Sequence, residues 1–191
     1  AWMRKVKRDL ALAGFTPEVT WNDRKTVHTG WVRLGGLLCE AGLSPLADEK
    51  LAIKVEVDTR PPEGGHCERT IITRHLSFLL QYYDPPSLMA GKLHALMTRR
   101  YAKGRDWYDL VWYLSQRPPV APNLILLGNA LEQTQGAGHE DAQHWKDSVR
   151  ARLLVMDMRA LLQDVGPFLE RPTDAGLITR DNLLALLQSQ P

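Results

Sequence analysis

Apolar residues at the start of the chain recur at helical spacing: Trp2, Val6, Leu10, Leu12 and Ala13, with Arg4, Lys5, Lys7 and Arg8 between them. That pattern predicts a basic amphipathic helix stopped by Gly14. After a turn at Trp21, Asn22, Asp23 and Arg24, the β-branched and aromatic residues of 26–33 predict a strand. Leu37, Leu38 and Ala41 then predict a short helix ending at Gly42. The clearest strand is 51–59, where Leu51, Ile53, Val55 and Val57 alternate with Ala52, Lys54, Glu56 and Asp58. Pro61, Pro62, Gly64 and Gly65 end it, and 70–83 reads as further strand. From Pro85 the strand signal stops. Helices are predicted over 86–99, 105–115, 123–134, 140–163 and 180–188, joined at Gly104, at 136–138 and at 171–176. The expected fold is α+β: a small mixed β-sheet, residues 1–84, packed with a C-terminal helical bundle, residues 85–191. A single domain with segregated layers fits the same pattern.

The 191 residues suffice for a substantial core, and no apolar run approaches the roughly 18 residues of a membrane span. A soluble protein with no membrane partner is expected. Cys39 and Cys67 have no CxxC or Cys/His ligand spacing, so free thiols in a reducing cytoplasm are expected. The net charge of +2 hides an uneven distribution. Residues 1–33 carry seven Lys/Arg against three acids, residues 88–117 six against two, and the remainder is acidic. Such basic regions attract phosphates, or they are solvated helix faces. The chain also opens inside a helical pattern, as a segment of a longer protein would.

Three stretches could carry chemistry. Lys54, Glu56 and Asp58 project from one face of a strand at steps of about 6.6–7 Å, which suits a divalent cation and a phosphate, or a solvated surface strand. In 87–100, Lys92 and Arg99 lie seven residues apart on a stripe beside an apolar helix face. Ala90 and Gly91 would let Lys92 approach a phosphate closely. A lysine snorkelling from a bundle helix is the other reading. In 104–114, Asp106 and Asp109 share a face near a helix N-terminus, where acids also complement the dipole. Arg105 adjoins them, with Trp107, Tyr108, Trp112 and Tyr113 as expected anchors. The histidines 28, 66, 75, 94, 139 and 144 form no ligand spacing, and there is no P-loop, GxSxG or GxGxxG.

Taken in order, Lys54-Val55-Glu56-Val57-Asp58, then Ser87-Leu88-Met89-Ala90-Gly91-Lys92, then Arg105-Asp106-Trp107-Tyr108-Asp109 resemble the AbiEii/AbiGii-type nucleotidyltransferase toxins of bacterial abortive infection. These belong to toxin–antitoxin systems of phage defence, and the match runs over about residues 20–117. The family is similar to polymerase-β-like minimal nucleotidyltransferases. The resemblance implies transfer of a nucleotidyl group from an NTP to an acceptor such as a tRNA end or other nucleic acid, with Mg²⁺, and an antitoxin encoded nearby. It implies Glu56, Lys92, Asp106 and Asp109 as catalytic residues, and Lys54, Lys92, Arg99 and Arg105 as nucleotide-binding residues. Glu56 is the one implied metal ligand.

The chain departs from the family in one large respect. Members carry a Gly-Gly-Ser/Thr turn followed by Asp-x-Asp, the principal metal carboxylates, and no Asp-x-Asp occurs in these 191 residues. A truncated nucleotidyltransferase fold is therefore expected, binding Mg²⁺ weakly or not at all and inactive alone. The alternative is a non-catalytic nucleic-acid-binding or interaction module with a degenerate form of that fold.

Overall fold

The computed structural model describes residues 2–136 and 142–188. It is α+β and comprises two compact units, Ala1–Pro61 and Pro62–Pro191.

The first unit contains α1 (Trp2–Leu12), β1 (Pro17–Asn22), β2 (Val27–Gly35), α2 (Leu37–Glu40) and β3 (Lys50–Asp58). The strands form an antiparallel sheet in the order β1-β2-β3, with Val32 opposite both Val19 and Ile53. Met3 of α1 is buried with Val32 and Leu34, and Val6, Leu10, Val19, Leu37 and Leu51 pack around them. Gly30 makes this possible, because a Cβ there would lie 2.7 Å from the Met3 sulfur. β1 is absent from the sequence expectation. It begins at a proline, which a sheet tolerates at the first residue of an edge strand. β3 is the other edge, so its apolar row is only partly covered: Ile53 and Val57 are 46% and 38% exposed.

The second unit opens with a hairpin, β4 (Cys67–Ile72) and β5 (Phe78–Tyr83), which pairs Ile71 with Leu79. What the sequence presents as continued strand over 70–83 is thus two strands about a turn, and the hairpin groups with the helices. The expected single mixed sheet is instead two antiparallel ones. Short turns at 23–26 and 73–77 join neighbouring strands, and such turns return the chain antiparallel, whereas parallel pairs need long crossovers.

Six helices follow among the described residues: α3 (Pro85–Thr98), α4 (Gly104–Ser115), α5 (Leu124–Gln135), α6 (Trp145–Leu154), α7 (Met158–Val165) and α8 (Arg180–Gln188). All contribute to one core around Trp107, Leu93, Met97, Leu127, Val149, Val165 and Leu183. The helix expected over 140–163 divides in two. Asp157 Oδ1 accepts from Arg159 N and Ala160 N at 2.9 and 3.2 Å, an N-cap that stops α6 and starts α7. A 3₁₀ turn, Ala142–His144, leads into α6, and the connector near 171–176 is another, Pro172–Leu177. Ala1, Ala137, Gly138, His139 and Glu140 lie outside the described residues.

A polar network at the hairpin base sets the start of α3. Asp84 caps the helix by accepting from Ser87 N at 2.8 Å, with prolines at the next two positions. The Ser87 hydroxyl accepts from His66 N at 3.0 Å and from Asn123 Nδ2 at 3.2 Å. Asn123 Nδ2 also donates to the Gly64 carbonyl at 2.7 Å. Asp84 is held below the usual carboxylate range chiefly by the Ser87 side-chain hydrogen bond.

Candidate functional site

In the second unit α3 carries Lys92 in its middle and Arg99 at its end, while α4 carries Asp106 in its first turn. The break at 99–103 turns α4 back so that Asp106 meets both cations. Asp106 Oδ1 lies 3.2 Å from Lys92 Nζ, and Oδ2 takes Arg99 Nη1. Lys92 Nζ also reaches Asp109 Oδ2 at 2.5 Å. The seven-residue spacing of Lys92 and Arg99 thus puts them on the two oxygens of one carboxylate. Asp106 is 5% exposed. A buried carboxylate needs compensation, which the two cations and the helix N-terminus provide.

The start of α4 is held tightly. Gly104 N donates to Asp164 Oδ2 at 2.7 Å, and a Cβ at Gly104 would lie 2.6 Å from the Leu161 carbonyl and 2.7 Å from Val165 Cβ. Glycine is required here by close approach to α7. Trp107 is fully buried and Tyr113 nearly so, while Tyr108 donates to Asp174 Oδ2 at 3.4 Å. Trp112 does not anchor the helix as expected: it is 53% exposed, edge-on to Tyr113.

Burial alone would depress the Lys92 pKa, but the hydrogen bonds and charges of Asp109 and Asp106 outweigh it and raise it above the ordinary lysine value. Lys92 is therefore firmly cationic. A cavity of about 440 Å³ is lined by Lys92, Asp109, Arg105, Tyr108 and Phe168. The Arg105 guanidinium stacks 4.3 Å from the Phe168 ring centroid.

Lys54 and Glu56 lie in the first unit. Their side chains pair at 2.8 Å, both about half exposed, and Lys54 sits 5.9 Å from the ring centroid of its cross-strand neighbour Trp31. Asp58 Oδ1 instead accepts from Arg60 N. Among the described residues no three His, Cys, Asp or Glu side chains converge on a common point. Glu56 is paired to Lys54, and both Asp106 oxygens are taken by cations. This donor set does not fit a resident Mg²⁺.

Sequence reasoning missed three residues of the second unit. Arg152 donates Nη1 to the Arg99 carbonyl at 2.8 Å, and it belongs to no motif. Lys103 lines the same cavity as Lys92. Asp164 caps α4 from the last turn of α7. An acid there opposes its own helix dipole, which is the signal that marks it.

The model of the family described as "Nucleotidyl transferase AbiEii toxin, Type IV TA system" matches residues 3–181. The chain belongs to the AbiEii family. Its AbiEii match contains both the Lys92–Arg99–Asp106–Asp109 cluster and the Lys54–Glu56 strand. AbiEii toxins belong to type IV toxin–antitoxin systems, which points to an antitoxin as partner. No curated protein and no solved structure matches the chain. No helix among the described residues is long and apolar enough to cross a membrane.

Proposed function

We propose that this chain is the phosphate-gripping part of an AbiEii nucleotidyltransferase toxin. In the reaction a hydroxyl of an acceptor, such as a tRNA end, attacks the α-phosphorus of an NTP. The new oxygen–phosphorus bond forms as the bond to pyrophosphate breaks, and the hydroxyl proton passes to solvent. Little covalent work falls to the protein in such a displacement, so positioning and charge dominate. The observation that carries the reading is Lys92, fixed between Asp106 and Asp109 with Arg99 on the second Asp106 oxygen. A phosphate oxygen replaces the half-exposed Asp109 at Lys92, while buried Asp106 keeps both cations aimed. Arg105 adds positive charge on the same cavity.

The 191 residues contain no Asp-x-Asp, and the side chains of the described residues do not fit Mg²⁺. The chain alone is accordingly inactive in transfer but binds NTP. The metal belongs with the family's Asp-x-Asp carboxylates, and the setting is the bacterial cytoplasm, in phage defence, with an antitoxin encoded nearby. The test is radiolabelled NTP incorporation into tRNA, paired with equilibrium binding of a fluorescent NTP. The chain alone is expected to incorporate nothing, and a version preceded by a family Gly-Ser and Asp-x-Asp segment to incorporate label. Lys92→Ala is expected to weaken NTP binding about tenfold, or roughly 1.4 kcal/mol. An extended version that stays inactive with every NTP and acceptor, or NTP binding indifferent to Lys92→Ala, overturns the reading.

The solvated Lys54–Glu56 pair favours a second reading, a nucleic-acid-binding module without chemistry. Salt-dependent RNA binding by an extended version that transfers nothing, unaffected by Glu56→Ala, would support it.

A further inference from the structure

On the other side of the Arg99–Asp106 pair lies a second cavity of about 400 Å³. Its lining includes Arg99, Arg100, Lys103 and Arg152 against a single carboxylate, Asp106. Both oxygens of that carboxylate are already engaged by Lys92 and Arg99, so it neutralises none of the other three cations. Arg100 faces the ring of its neighbour Tyr101, and the Lys103 ammonium has no hydrogen-bond or ion-pair partner among the described residues. Arg152 spends one N–H on the Arg99 carbonyl at the end of α3, which fixes the guanidinium and leaves further donors of its fork available. The rest of the lining is apolar, with Leu96, Trp107, Val155 and Met156. A basic hollow with an apolar wall is complementary to a ligand that carries phosphate beside an apolar face, as a nucleotide does.

Two cavities therefore share Arg99, Lys103 and Asp106 as a common wall. One holds Lys92 and Asp109; the other holds Arg100 and Arg152. A transfer between two phosphate-bearing substrates needs two such basins in reach of each other. We propose that the cavity of Arg100, Lys103 and Arg152 binds the backbone phosphates of the acceptor, a single-stranded nucleic-acid end. The acceptor role rests on the nucleotidyl-transfer reading above; the binding of a strand does not.

The test uses the full chain and reads binding rather than turnover. Fluorescence anisotropy follows a short labelled single-stranded RNA across a salt series, and a fluorescent NTP is titrated in parallel. The reversal Arg100→Glu changes one exposed side chain that lines this cavity and not that of Lys92, and is checked for folding by circular dichroism. It is expected to weaken RNA binding by about tenfold or more, and to flatten the slope of log K against log salt by about 0.7 for each phosphate that is no longer neutralised. NTP affinity should change by less than about twofold. Arg152→Glu should act like the reversal, while Arg152→Lys, which keeps the charge, should restore most of the RNA affinity. Lys92→Ala should show the opposite pattern, weakening NTP binding and keeping RNA. RNA binding indifferent to the reversals overturns the proposal, as does loss of NTP binding with RNA binding intact, which would make this cavity the mononucleotide site. If the wild-type chain binds RNA in this manner but no NTP, the transfer reading fails and the strand site stands.

Discussion

At the scale of single residues the buried Asp106 and the half-exposed Asp109 look alike in the sequence and behave differently in the fold. Removing Asp106 leaves Lys92 and Arg99 facing each other without their common counter-charge. Asp106→Ala is expected to destabilise the chain by about 2 kcal/mol, below the range for fully buried pairs because both cations reach solvent. Asp109→Ala should cost under about 1 kcal/mol, since its pair with Lys92 is largely screened. Urea denaturation separates the two, and equal losses would contradict the burial difference. His94 gives a pH signature. Burial, then the nearby Arg99 charge, lower its pKa below the ordinary histidine value. His94 Nε2 lies 2.8 Å from the Thr134 hydroxyl. With the folded pKa lowered, the unfolded chain binds the proton more readily. Stability from this group is complete above about pH 6.5 and is lost as the pH falls toward the lower, folded pKa. Melting temperature measured against pH should drop over that window, and His94→Gln should flatten the drop.

At the scale of elements the caps decide what the apolar pattern leaves open. The periodicity of α1, α3, α4, α5 and α8 made these helices legible, because one face of each is apolar. The division of α6 from α7 was not legible in that way: Leu153, Leu154, Leu161 and Leu162 continue a helical rhythm straight through Asp157, whose capping role shows only in three dimensions. The pairing of Lys92 and Arg99 was legible from their spacing. Arg152 was not, because a hydrogen bond spanning 53 residues leaves no local trace. Asp84→Ala removes the α3 cap and part of the network at Ser87, and should cost about 1 kcal/mol. Because the Asp84 pKa is lowered, its contribution is present above about pH 3.8 and is lost as the pH falls through the folded value. The difference in stability between wild type and Asp84→Ala should therefore close in strong acid. Gly104→Ala should be worse than the intrinsic helix preference for alanine implies, since the methyl meets backbone atoms of α7 that cannot step aside. A variant as stable as wild type would show that α4 and α7 are less closely packed.

At the scale of the whole molecule the two units differ in how much core each owns. The first buries Met3, Val32 and Leu34 under one helix, while the second draws on every helix from α3 to α8. Amide hydrogen exchange should therefore find β1, β2 and β3 opening before α3 and α4, with at least two protection classes. A single class would mean that the units unfold together. The α+β character and the position of the basic cluster were readable from the chain. The separation into two sheets was not, because alternation identifies a strand without naming its partner.

The close approach at Gly104 has a meaning for how such a motif drifts. In a library of all single substitutions selected only for accumulation of folded protein, position 104 should return glycine and position 106 aspartate, one kept by van der Waals exclusion and the other by counter-charge. Arg105 and Asp109 should vary freely. A copy that had abandoned its chemistry generations ago would still spell Gly-x-Asp at the head of α4, and the residue to watch for relaxed selection is Asp109.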